Sequence, residues 1–242
     1  MKSRRESIVL SLLLLCLVAL LPLEVAAETY HIDSADGDDL AAGTSIDTAW
    51  RSLKKVNATT FTQGDRILFK AGGAWSGQLH PKGSGSSGNP IMIDRYGEGP
   101  RPIVAGQGAT DLPGGATVYL YNQEYFEIAN LEITNFLEGD NSTKRGVYVL
   151  AEDFGAVHHI HLRNLFVHDV NGNLRTKYNG GIFLEVIGSK QKTWFDDLLI
   201  EGCHVRDVDR TGISNQSEWR FVRNTMFTVD CAASANAIST NS

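Results

Sequence analysis

Ile160-His161-Leu162-Arg163-Asn164-Leu165-Phe166-Val167-His168-Asp169-Val170 reads as two strand-like stretches hinged on one asparagine. Three other segments superimpose on it residue by residue: Phe126 to Phe136, Leu198 to Val208 and Arg220 to Asp230. The hinge residues are Asn130, Asn164, Gly202 and Asn224. Asparagine and glycine enter the left-handed backbone region most readily, so a column holding only these two predicts the same tight bend in every copy. Two positions before the hinge stand Ile128, Leu162, Ile200 and Val222; three after it stand Ile133, Val167, Val205 and Phe227, with mostly polar residues between. Alternation of period two on both sides of a bend makes strand, bend, strand, with one face turned inward.

A third strand follows in each copy. Gly146-Val147-Tyr148-Val149, Gly181-Ile182-Phe183-Leu184, Gly212-Ile213-Ser214-Asn215 and Ala237-Ile238-Ser239-Thr240 all place a β-branched apolar residue after a small one. Such a unit cannot bury its apolar face alone and must stack on its neighbours, which predicts a solenoid of parallel strands. A doubly wound α/β fold needs an amphipathic helix of about ten residues or more between strands, and this half of the chain has none. A β-sandwich is the structural rival, but its turns do not require Asn or Gly in register four times.

Upstream, Asp47 or Thr48 is placed to cap a short helix reaching about Asn57, with Trp50, Leu53 and Val56 on one side. Arg66-Ile67-Leu68-Phe69, Pro90 to Asp94 and Pro102 to Val104 read as strands. The helix suits the end of a stack, whose apolar interior and unpaired backbone need a lid. The expected organisation is residues 1–27 as a signal peptide, 28–117 as cap and first coils, and 118–242 as coils. The final third strand runs to the end of the sequence without a closing helix, so the coils are expected to continue in a longer protein.

Lys2, Arg4 and Arg5 precede an apolar run from Ile8 to Leu21, and Val25-Ala26-Ala27 supplies small residues for cleavage. This pattern predicts a secreted or periplasmic protein with no stable membrane insertion afterwards. The whole chain has 22 Lys+Arg against 28 Asp+Glu; dropping the three basic and two acidic residues of the first 27 leaves 19 against 26, a net −7. A surface this acidic excludes general binding to nucleic acid or anionic membranes. Cys203 and Cys231 allow one disulfide, although Cys203 reads equally well as a small buried hydrophobe.

The run Asp36-Gly37-Asp38-Asp39, Gly43-Thr44-Ser45 and Thr48-Ala49-Trp50-Arg51-Ser52-Leu53 resembles the opening of secreted bacterial right-handed parallel β-helix proteins of the pectin-lyase-like superfamily. So do Gly64-Asp65-Arg66-Ile67-Leu68-Phe69-Lys70, Gly83-Ser84-Gly85 and Gly88-Asn89-Pro90-Ile91. The likeness covers about Thr29 to Ser242. It implies an all-β, right-handed parallel β-helix with a short N-terminal capping helix, monomeric at full length, whose partner is an extracellular polysaccharide. The implied activity is that of a carbohydrate lyase, often with Ca²⁺, or of a glycoside hydrolase. These motifs specify a fold rather than a reaction. A non-catalytic cell-surface adhesin or glycan-binding solenoid is the alternative.

Members of that superfamily bind sugar on the outer face of one stacked sheet, beside its loops. With Ile182 and Leu184 inward, the outward column carries Tyr148, Phe183 and Ser214, then Leu150, Glu185 and Gln216. Tyr148 and Phe183, on adjacent coils, are a candidate stacking platform for a sugar ring, or simply aromatics piled up the outside of a solenoid. Five residues past the hinge stand Asn135, Asp169 and Asp207, so Asp169 and Asp207 are candidate stacked carboxylates; a pair this close either raises one pKa or recruits a cation. A hydrolase would draw two carboxyls from Asp169, Asp207, Asp209 and Glu185. A uronate lyase would use Lys177 or Arg210 as base, with a metal or an arginine to neutralise the substrate carboxylate. Arg175 is a further substrate-binding candidate at the same strand entry. The competing reading for any one of these is an ordinary turn cap. His158, His159, His161 and His168 suggest a metal cluster, with His159 and His161 on one strand face. Zinc needs three or four converging ligands, however, and alternation with Ile160 and Leu162 also describes a solvent face.

Overall fold

A computed structural model describes residues 26–108 and 113–217, together with the backbone of 223–226 and 239–240. The signal stretch lies outside the described residues, as do Cys231 and most of the fourth repeat. Among the described residues no helix is long and apolar enough to cross a membrane.

The chain winds through three parallel sheets in repeating order. Sheet I has seven strands: Thr29–Ile32, Arg66–Lys70, Ile91–Tyr96, Phe126–Ala129, Ala156–Arg163, Trp194–Glu201 and Arg223–Met226. Sheet II stacks Ala74–Ser76, Ile103–Ala105, Glu132–Asn135, Phe166–Val170 and His204–Val205. Sheet III stacks Ala116–Tyr121, Arg145–Glu152, Gly180–Ile187, Thr211–Ser217 and Ser239–Thr240. Every pairing within them is parallel, which makes the fold a parallel β-helix.

The hinge column is a real file over three coils. Asn130, Asn164 and Gly202 have φ of 58°, 51° and 61°. Each corner is tied to the next by backbone: Asn130 N donates to Arg163 O at 3.2 Å, and Asn164 N to Glu201 O at 2.9 Å. A Cβ at Gly202 would stand 2.4 Å from Asn164 Oδ1, so the third corner takes glycine where the first two take asparagine. Asn224 does not join the file. The pairing Leu199 with Met226 leaves it five residues short of the level of Gly202.

The inward columns are Ile128, Leu162 and Ile200 on sheet I and Ile133, Val167 and Val205 on sheet II, all buried in one continuous core. Complete burial of such a side chain contributes roughly 1.5–3 kcal/mol. Val147, Ile182 and Ile213 stack in register on sheet III and close the third side. The glycines before the first two, Gly146 and Gly181, are steric necessities at the turn between sheets II and III. A Cβ at Gly146 would meet Val167 Cγ1 at 2.5 Å and Gly181 O at 2.7 Å; one at Gly181 would meet Val205 Cγ1 at 2.5 Å and Gly212 O at 2.7 Å.

The capping helix is shorter than expected. Ile46–Thr48 forms one 3₁₀ turn, the chain then extends, and the α-helix occupies Leu53–Ala58 with the Ser52 side chain accepting from Lys55 N at 3.2 Å. Neither Asp47 nor Thr48 caps it; Ser52 does, because Asp39 accepts hydrogen bonds from Arg51 N, Ser52 N and Ser52 Oγ and holds residues 51–52 out of the helix. Trp50, Leu53 and Val56 enter the core as anticipated.

Gly181→Ala is expected to cost about 1–3 kcal/mol, because the added methyl group overpacks a corner bounded partly by backbone. Urea unfolding of the variant beside the unaltered protein measures this as a lower midpoint.

Candidate functional site

The outer face of sheet III carries the side chains that alternation assigned to it, extended by one coil. Tyr119, Tyr148, Phe183 and Ser214 are register partners, and so are Tyr121, Leu150, Glu185 and Gln216. Tyr119 stacks on Tyr148 at 5.5 Å between centroids, and Phe183 meets Tyr148 edge-on at 5.9 Å. Together with Ala116 they form an apolar cluster separate from the main core.

This column is not an open stacking platform. Tyr148 is 5% exposed and Phe183 fully buried. The Arg145 guanidinium covers both rings, at 4.2 Å from the Tyr148 centroid and 4.9 Å from that of Phe183. Gly114 lies so close to Tyr148 that a Cβ there would come within 2.5 Å of its ring. Arg145 is anchored by donating from Nη1 to Gly114 O at 2.6 Å, while its Nε–H is buried without a partner. Left without a water partner, a buried donor of this kind costs roughly 1–3 kcal/mol.

Glu185 completes the arrangement. The Tyr148 hydroxyl donates to Glu185 Oε2 at 2.5 Å, and among the described residues no protein group bonds Oε1. Burial and this hydrogen bond push the Tyr148 phenol far above its ordinary range. Burial, then the neighbouring Tyr121, raises Tyr119 to about 12. Burial pulls the Arg145 guanidinium down, against Tyr148 and Glu185, which act the other way. The result is a half-buried carboxylate with one oxygen held by a phenol beneath a buried cation. Such a group can accept a hydrogen bond from a sugar hydroxyl or exchange a proton with it. Tyr121 and Glu152, bonded at 3.0 Å through the phenol, extend this face toward solvent.

The other candidates divide. Arg175 and Lys177 are exposed on the loop entering Gly180–Ile187, where Tyr178 approaches Phe183 at 6.2 Å. That loop is tied to residues 137–144 by the buried Lys144 ammonium, which donates to Asp140 O and Asn171 Oδ1 at 3.0 and 3.1 Å. Asp209 has a turn role: its Oδ2 accepts from Gly172 N at 2.9 Å, and its carbonyl from Asn179 Nδ2 at 2.8 Å. Arg210 is exposed with φ of 82°. Asp169 and Asp207 occupy neighbouring coils, both with φ near 50°. Their carboxylates bind their own basic neighbours, Asp169 to His168 and Asp207 to Arg206, rather than each other. Asn135 is not level with them. The register slips after Thr134 and sets Asn135 beside Val170, where it bonds Gly115 O and Arg145 O in the interior. His168 lies with Glu132 and Asp169 on sheet II, apart from His159 and His161, which meet Glu127 on sheet I.

Comparison with known proteins meets this geometry here. The chain is similar to lacto-N-biosidases. The curated lacto-N-biosidase of Bifidobacterium longum subsp. longum is 30% identical over a 249-residue alignment spanning 77% of this chain and 16% of that protein. Two crystal structures of GH136 lacto-N-biosidase from Eubacterium ramulus, native and selenomethionine, superpose with TM-scores of 0.71 and 0.70 at 29% identity. They match 78% and 77% of this chain, and 36% and 35% of theirs. This chain thus spans a minor part of each relative. No protein-family model matches it.

Sequence reasoning missed Tyr119, Tyr121 and Arg145. In the coil of Tyr119 the usual glycine is replaced by Thr117, so the small-then-branched signature vanishes although the register persists. Arg145 precedes its glycine as an unremarkable loop residue, and only packing puts it over the rings.

A folded-state phenol value above the unfolded one, near 10, means that the stability from neutral Tyr119 and Tyr148 is complete below pH 10 and is lost as pH rises toward 12. Urea unfolding across this window is expected to show falling stability, with a shallower fall in Tyr119→Phe.

Proposed function

We propose that this chain forms the amino-terminal coils of a secreted glycoside hydrolase acting on an extracellular glycan. The observation that carries the reading is the 30% identity to a lacto-N-biosidase across most of this chain. A half-buried Glu185 beneath Arg145 and Tyr148 on an outer sheet face supports it, since glycosidic cleavage rests on positioned carboxyl groups. A lacto-N-bioside, the glycan for which the similar lacto-N-biosidase is named, is the first substrate class to try. Further coils of the whole protein supply whatever groups complete the site. Export through the amino-terminal signal places the enzyme where such glycans occur.

The test uses the full-length protein against lacto-N-biosides, other neutral glycans and uronic-acid polymers. Release of a new reducing end without an unsaturated uronate product is expected; an unsaturated product would instead make it a lyase, and binding without turnover an adhesin. Glu185→Gln is expected to lower kcat/KM by about 10-fold or more, consistent with losing one positioned acid–base or hydrogen-bonding group. Amino-terminal sequencing of the exported protein should begin near Glu28.

A further inference from the structure

A second cluster of ionisable side chains occupies the outer face of sheet I, and its backbone is unusual. Tyr125, His159 and Asp197 stand at equivalent levels of three successive coils with φ of 55°, 53° and 65°. At each of the last two, a pair of residues lies between consecutive inward side chains, His158-His159 between Val157 and Ile160, and Asp196-Asp197 between Phe195 and Leu198. A left-handed residue other than glycine costs about 1–2 kcal/mol. The stacked bulges therefore carry strain whose product is one extra outward side chain per coil, an imidazole above a carboxylate.

The contacts these groups make are directional. Asp197 receives both rings, from His159 Nδ1 at 2.7 Å on Oδ2 and from His161 Nε2 at 2.9 Å on Oδ1. The second nitrogen of each ring, His159 Nε2 and His161 Nδ1, does not bond Asp197. Both face Glu127 Oε1, at 2.8 and 3.9 Å. A carboxylate orienting the outer nitrogen of each ring is the usual support of metal-binding histidines.

We propose that Glu127, His159 and His161 bind a divalent transition-metal ion, zinc being the best match to two imidazoles and a carboxylate, with Asp197 positioning both rings. Ligand atoms around a tetrahedral zinc with bonds of about 2.1 Å lie about 3.4 Å apart, so the two separations from Glu127 Oε1 need to change by about half an ångström. Without an ion, His159 Nε2 is hydrogen-bonded to Glu127 Oε1; a bound ion replaces the proton shared between them, since a histidine ligand binds a metal through its lone pair. Arg163 now donates from Nη2 to His161 Nδ1 at 3.0 Å and has to release it. It keeps Glu127 Oε2 at 2.9 Å and Glu201 Oε2 at 3.2 Å. An open cleft of about 410 Å³, lined by Pro90, Tyr125, Glu127, His158, His159 and Asp197, gives the ion an entry path and leaves its fourth position to water or a ligand. The site is separate from the face of sheet III and does not depend on the proposed hydrolase activity.

The test is calorimetric titration of chelator-treated full chain with zinc chloride, paired with the visible spectrum of the cobalt-loaded protein. One zinc per chain and a tetrahedral cobalt spectrum are expected. His159→Gln and His161→Gln should each weaken zinc binding by about 100-fold or more, and Asp197→Asn by about 10- to 100-fold. His168→Ala should leave it unchanged. Metal-free circular dichroism checks that each variant is folded, and Glu127→Gln stands in for any that is not. Absence of binding to the unaltered protein overturns the proposal. So does binding that survives His159→Gln with His161→Gln, or that His168→Ala weakens as much.

Discussion

Parallel stacking in register is the constraint on which the rest of this molecule depends. When every coil repeats the path of the one before it, each residue has its positional equivalent directly above and below, about 4.8 Å away. Whatever occupies one level must tolerate its own counterpart. Branched aliphatics do so in the interior, as Ile128, Leu162 and Ile200 do. At the corners the same rule is harsher, because backbone meets backbone. Asn164 Oδ1 uses the space that a Cβ at Gly202 would need, and Gly181 O uses the space that one at Gly146 would need.

On the outside, that proximity concentrates chemistry. Sheet III piles Tyr119, Tyr148 and Phe183 into a covered apolar stripe, and the burial of Arg145 over it follows from having rings on successive levels to stack against. Sheet I piles ionisable groups instead, with Glu127, His161 and Arg163 contributed by alternation and His159 and Asp197 by bulges. The two faces differ in solvent contact for a local reason. Gly114 and the Arg145 guanidinium lie against the rings of sheet III, whereas the outer face of sheet I borders an open cleft.

The fold was legible because its determinants are short-range. The hinge column, the inward aliphatics and the glycines ahead of Val147 and Ile182 can all be found by laying four segments over one another. Asn224 failed because that overlay matched residue types alone, and the backbone pairing of Met226 with Leu199 sets a different register. The candidate site was legible only in part. Alternation correctly sent Tyr148, Phe183 and Glu185 outward, but exposure is decided by what later covers a face, and the cover comes from Arg145 and Gly114. Bulges hid the rest. A residue such as His159 or Asp169 leaves no compositional trace of being left-handed, and the slip after Thr134 separates Asn135 from Asp169 although each lies five places beyond its hinge.

The corners also govern how such a chain can change length over evolutionary time. The stretch from Asn164 to Gly202 is longer than that from Asn130 to Asn164, yet both corners superimpose, so the surplus is absorbed between them, at the bulge of Asp169 and in the loop after Ile187. A codon gained within a strand would turn every following side chain to the wrong face unless a left-handed bulge such as that at Asp169 absorbed it, whereas one gained between sheets would not. Loop segments such as 153–155 and 188–193 are therefore where relatives of this protein are free to diverge in size, and with it in the shape they present to a ligand.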